Sequence, residues 1–245
     1  MENHRKIAII VGVLFIIGSA SGVVSGVLSA PLLTVPDYLG AIAANQSSFI
    51  TATIFVLTMG FSLVMVPVML YPIFKKYNQA LALGAVVFRG TLEGVLYMLI
   101  ILCWFSLLTL SQAPQSNAAT AQFLADQVKQ VEVWVIILQG IAFSLGALMI
   151  YYLFIISRLI PRWLSLWGFI GAILYIVAPF IVMFDVQNLA LSLDGSMGFL
   201  MGPLALQEMV FALWLIIKGF NKNPVPVTAN ADRKRIITGL SSPSV

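Results

Sequence analysis

QALALGAVVFRGTLEGVLYMLIILCWFSLLTL, residues 79–110, is the stretch from which the fold can be read. A helix needs about 20 apolar residues to cross roughly 30 Å of hydrocarbon. This run exceeds that length, and only Arg89 and Glu93 put charge into it. A charged side chain at the centre of a membrane helix costs about 2.5–3.5 kcal/mol on insertion scales, so its presence asks for a reason. Arg89, Glu93 and Tyr97 follow at i, i+4 and i+8, which sets them in one stripe along one helix face.

The rest of the chain has the same character. Of 245 residues, 60% are hydrophobic and 9% charged, against about 25% charged in a soluble domain. Apolar runs of membrane-crossing length recur, and the short alternating segments of a β-barrel are absent. The composition therefore predicts an all-α, polytopic membrane protein. The net charge of +4 points to loops beside a membrane, not to nucleic acid. Cys103 is the only cysteine and His4 the only histidine. Those counts exclude a disulfide framework, a thiolate cluster, a bis-histidine haem, a three-histidine zinc centre and a serine–histidine triad. No metal or cofactor is expected.

In chain order, a basic tail (1–6) leads into a first span over about 7–29. A cleaved leader is the rival reading there, but the apolar run continues past the small residues that would mark cleavage. Gly18, Gly22 and Gly26 recur every four residues and form a small-residue stripe on which another helix can pack closely. A loop follows, in which Asp37 to Ala44 has the makings of a short interfacial helix. The second span, about 49–74, carries Pro67 and Pro72, either of which should bend it. Residues 79–110 make the third span. The long loop 111–131 begins polar and continues with Phe123, Leu124, Val128 and Val131 among polar residues, the pattern of an amphipathic piece on the membrane surface. The remaining spans are expected over about 132–157, 164–184 and 197–218. Gly202 and Pro203 are expected to kink or interrupt the last of them. Residues 220–245 are polar and proline-containing and predict a disordered tail, with Arg233, Lys234 and Arg235 placed to meet anionic headgroups. The repeated triplets Phe61-Ser62-Leu63 and Phe143-Ser144-Leu145 are best explained by chance likeness between apolar helices.

Orientation follows from the cations. Of thirteen lysines and arginines, all but Arg89 and Lys129 lie in the N-tail, the turns after the second and fourth spans, and the C-tail. That asymmetry predicts six spans with both termini in the cytoplasm.

Glu208 is the only other acid deep in an apolar run. At 1.5 Å per residue, Arg89 and Glu208 each lie roughly 15 Å from the inner ends of their spans, near the midplane, with Glu93 about 6 Å further. Left unpaired, the three would cost roughly 7–10 kcal/mol, comparable to a whole protein's stability. They are therefore expected to meet inside the bundle, which would set the third and sixth helices side by side. One arginine cannot neutralise two carboxylates in a dry core, so one glutamate is a candidate to hold a proton at neutral pH.

Tyr97 and Gln207 are candidates to complete a polar pocket around Arg89, Glu93 and Glu208. Three readings stay open: a pocket for a small amphiphilic ligand in a sensor or accessory protein, a small-solute or proton-coupled transport site, and a purely structural cluster. Enzymatic chemistry is disfavoured, because no metal-ligand set, histidine base or glycine-rich phosphate loop is present. A water path reaching Glu208 would favour transport. A pocket open sideways to lipid would favour ligand binding, and a cluster without a cavity would leave only the structural role.

The segment Ser157-Arg-Leu-Ile-Pro-Arg-Trp-Leu164 with Gly168, and Glu208 followed by Leu213-Trp-Leu-Ile-Ile-Lys-Gly219, resemble the signature of a bacterial membrane family, domain of unknown function 4386. The basic N-tail before a glycine-rich first span and the arginine in the third fit the same pattern. The likeness covers roughly 5–220. It implies a multi-helix protein of the bacterial inner membrane and carries over Arg89 and Glu208 as family positions. It implies no particular activity, ligand or oligomeric state.

Overall fold

The structure, a computed structural model, describes residues 2–186, 188–192 and 195–221. The tail with Arg233, Lys234 and Arg235 lies outside the described residues. Helix α1 runs over Glu2–Leu33, the short α2 over Tyr38–Ala44 and α3 over Gln46–Phe74. The third span starts as α4 (Gln79–Ala85), passes through a π-helical segment (Val86–Leu92) and continues as α5 (Glu93–Leu110). After a 3-10 turn come α6 (Ala118–Ser157), α7 (Arg162–Phe184) and α8 (Gly198–Ile217). Six of these helical stretches are long and apolar enough to cross a membrane, and no strand occurs among the described residues.

The six long helices form a ring in chain order. Each packs on its neighbour in sequence, and α8 closes the ring against α1. The third span and α8 are consequently not neighbours, contrary to the expectation that they lie side by side. They face each other across the interior, and a long side chain is needed to join them. The short α2 lies against α1, α3 and α5. Asp37 caps it, accepting from the Gly40 amide at 3.0 Å, as a free helix N-terminus requires. Asn78 does the same for α4 through the Leu81 amide at 3.1 Å.

Two other expectations are corrected. Residues 118–131 are not a separate surface piece but the first turns of α6, which continues unbroken to Ser157. Nothing between Ala118 and Gly140 breaks a helix, and polar contacts hold the extension in place. The Tyr38 hydroxyl donates to Asp126 at 2.6 Å, and Lys129 Nζ donates to the Leu33 carbonyl at 3.1 Å. Burial, then the adjacent Asp126, push the Tyr38 hydroxyl well above the usual tyrosine range. Nor is α8 interrupted at Gly202 and Pro203: the helix runs from Gly198 to Ile217 with Pro203 in its second turn, where the missing N–H removes a single bond, to the Phe199 carbonyl.

At the end of the ring that holds the termini, Arg5 donates to the last carbonyls of α8: Leu215 at 3.4 Å, Ile216 at 2.7 Å and Ile217 at 3.2 Å. Those carbonyls have no partner within the helix, and a cation is favoured beside them. Gly219 ends α8 with φ of 72°, and Arg158 ends α6 with φ of 53°. Asn221 then donates through its amide to Leu159 O and through Nδ2 to Arg158 O, both at 2.7 Å. The two short signature segments are thus tied to each other, with Trp163 and Trp214 in edge contact at 6.3 Å.

Candidate functional site

Arg89 sits in the π-helical segment, whose widened turn carries an extra residue and is often found at functional positions. Its backbone lies so close to α6 that a Cβ on Gly146 would come within 2.7 Å of the Arg89 amide nitrogen. Glycine at 146 therefore lets the third span lean on α6. From there the Arg89 side chain crosses the ring interior. Nη1 donates to Glu93 Oε2 at 3.3 Å and Nη2 to Glu208 Oε1 at 2.9 Å. The guanidinium also lies over the Phe143 ring, 4.1 Å from its centroid. Arg89 and Glu93 are sealed from the outside, whereas the Glu208 side chain retains 13% exposure.

Glu93 Oε1 is buried and has no hydrogen-bond partner. An unpartnered charged oxygen is rare in a protein interior and asks for an explanation. Glu93 itself borders a cavity of about 550 Å³ whose floor is Glu93 and Glu208, a volume within the usual range for small-molecule sites. Tyr97 lies on its wall. The far end is marked by Trp104, whose indole N–H donates to Glu132 Oε1 at 2.6 Å. From Glu93 to Trp104 the helix rises about 16 Å.

Gln207 does not border this cavity. It accepts from the Tyr151 hydroxyl at 2.6 Å and donates to Leu164 O at 3.0 Å, so it braces α8 against α6 and α7. Gly168 makes room for Tyr151, since a Cβ there would collide with the ring. Beneath the floor, Phe15, Phe74, Tyr151, Phe154 and Phe211 interlock, with Phe74–Phe154 at 4.9 Å and Phe15–Phe211 at 5.5 Å. All five are buried. They fill the interior between the charges and the terminal end.

The seam between α1 and α8 is closed at one end only. Gly12, Ser19 and Gly26 recur at seven-residue intervals on α1, and Gly202, Ala205, Met209, Ala212 and Ile216 form a stripe on α8. Near the terminal end the stripes touch: a Cβ at Gly12 would lie 2.7 Å from both Ala212 O and Ile216 Cγ1. At the other end they part. A Cβ at Gly26 or Gly202 would meet no atom within 4 Å. Ser19, Val23 and Gly26 border the cavity, and Val23 and Gly26 are exposed. The cavity thus reaches the side of the molecule just above Phe15 and Phe211.

That separates the members of the glycine stripe. Gly18 faces Leu63 and Gly22 faces Met59, where an added Cβ would lie 2.7 Å from each side chain. A Cβ at Gly26 would meet nothing within 4 Å, and this glycine borders the cavity, unlike the other two members of the stripe expected to pack. The triplets at Phe61 and Phe143 are also unlike: Phe61 is exposed, whereas Phe143 stacks on Arg89. Sequence reasoning missed Phe143, Gly146 and Tyr151, because apolar, glycine and tyrosine positions inside a span carry no signal that singles them out.

The family model described as Domain of unknown function (DUF4386) matches residues 10–219. The chain belongs to this family. No curated protein and no solved structure matches it. The matched region contains the charged cluster, the cavity and both signature segments.

Proposed function

We propose that this DUF4386 protein is a non-enzymatic protein of the bacterial inner membrane, its termini on the cytoplasmic side, that holds a small amphiphilic molecule as a sensor or accessory subunit. The observation that carries the reading is the cavity itself. Its polar floor holds an unpartnered buried carboxylate oxygen, its walls are mostly apolar, and its side opens between α1 and α8 at bilayer depth. A molecule already dissolved in the lipid can enter sideways and present a polar group to the floor while its apolar part stays in contact with hydrocarbon. Transport is supported less well, because the interlocked aromatic residues beneath the floor interpose a packed layer between the cavity and the terminal end. The excess of cations at that end supports the orientation.

Native mass spectrometry of the protein released from nanodiscs tests the reading. A co-purified adduct of small-molecule mass is expected on the wild type and is expected to be lost in Gly26→Trp, which fills the open seam. A wild type free of any adduct, or an adduct that persists in Gly26→Trp, counts against the cavity as its site. Solute flux in proteoliposomes that requires Glu208 would favour transport instead.

A further inference from the structure

The charge around the cavity indicates the kind of molecule it takes. Three glutamates border it, Glu93, Glu132 and Glu208, and no lysine or arginine does. Arg89 lies beneath the floor and divides one positive charge between Glu93 and Glu208. Glu93 uses one of its oxygens in that pairing, and the other is buried and unpartnered in a residue that borders the space. Two carboxyl groups share one guanidinium, so the second of them must either hold a proton or take a further cationic partner, in surroundings where an unpaired charge is costly. The walls include Tyr97, Trp104 and Tyr175, residue types whose rings attract a cation, and Met59, Met201 and Met209, flexible groups that adapt to apolar shapes.

We propose that the occupant is a lipophilic cation: an amine or quaternary ammonium carrying an apolar tail. Its head sits on the floor beside Glu93 and Glu208 and supplies that further positive charge. Its tail leaves through the seam between Gly26 and Gly202 into the lipid. An anionic amphiphile would meet three carboxylates and no free cation. This inference rests on the cavity reading above and adds the sign of the ligand's charge to it.

Three probes with the same tail separate the two: octyltrimethylammonium, octanol and octanoate, each titrated calorimetrically into protein in nanodiscs, with empty nanodiscs subtracted. The wild type is expected to bind octyltrimethylammonium saturably, at least tenfold more tightly than octanol, and octanoate not at all. Glu93→Gln and Glu208→Gln, near-isosteric changes, are each expected to erase the preference for the cation. Gly26→Trp, in open space away from the charges, should abolish binding while the fold is kept. Octanol or octanoate binding as well as the ammonium, with both lost in Gly26→Trp, would overturn the cation assignment and leave the cavity standing. So would a cation preference unchanged in both glutamine variants. Saturable binding by none of the three, or binding indifferent to Gly26→Trp, would remove the cavity reading and this inference with it.

Discussion

Arg89→Met is the perturbation whose outcome follows most directly from the geometry. The substitution keeps an unbranched apolar stem like that of arginine and removes the guanidinium. Arg89 and Glu93 have side chains 1% exposed and Glu208 13%, so little water can take over the solvation of the two carboxylates left behind. Removing one partner of a buried ionic group costs about 3–5 kcal/mol, most of it from the charge left unpaired. The single change is therefore expected to destabilise the protein by about that amount. Glu93→Gln should cost much less, about 0.5–1.5 kcal/mol, because Arg89 keeps Glu208 and the glutamine carbonyl can still accept. The revealing variant is the triple change Arg89→Met, Glu93→Gln, Glu208→Gln. Replacing a complete buried ionic set with uncharged groups is often neutral or stabilising, so it should recover most of the loss. Equilibrium unfolding by sodium dodecyl sulfate in bicelles measures all of these, and the deficit from additivity gives the coupling. If Arg89→Met lies within about 1 kcal/mol of wild type, or the triple variant is no more stable than Arg89→Met, the electrostatic account of the cluster is wrong.

The remaining expectations concern packing and pH. Gly146→Ala should cost about 1–3 kcal/mol, because its Cβ would meet the backbone of Arg89, which cannot rotate away. Gly202→Ala, into open space, should stay within about 0.5 kcal/mol of wild type in the same unfolding assay; equal effects at the two positions would refute the asymmetry. Arg5→Ala should lower stability by about 1 kcal/mol through the unpartnered carbonyls at the end of α8, and Arg5→Lys should restore part of the loss. Because folding holds the Tyr38 hydroxyl above its ordinary range, its contribution to stability is complete below about pH 10 and is lost as pH rises through the folded value. Difference absorbance between wild type and Tyr38→Phe should show no phenolate from this residue until well above pH 10, and a transition near pH 10 would contradict it.

Much of this was legible from residue types alone. The six long helices follow from apolar length, and the meeting of Arg89, Glu93 and Glu208 follows from the cost of an isolated ion in hydrocarbon. That same cost does not say how far apart the backbones stand. An arginine side chain is long enough to reach an adjacent helix or one across a ring, and the sequence does not choose between them. The π-helical turn at Val86–Leu92 was also hidden, since no residue type in that segment announces it; in the fold it lies against Gly146. Gln207 looked like a pocket residue by position, but helix rotation turns it toward Tyr151 and Leu164. Gly26 continued a regular stripe, yet where a stripe stops touching its partner depends on the splay of two whole helices.

The ring has a consequence for how the chain is made. The contact between Arg89 and Glu208 spans 119 residues, and α1 finds its second neighbour only in α8. During synthesis the arginine and its nearby glutamate must enter the bilayer well before their remote counterpart leaves the ribosome. Until then the nascent protein is an open crescent with ions exposed on its concave side. The last helix to be made is therefore the one that completes both the charge pairing and the closure of the ring.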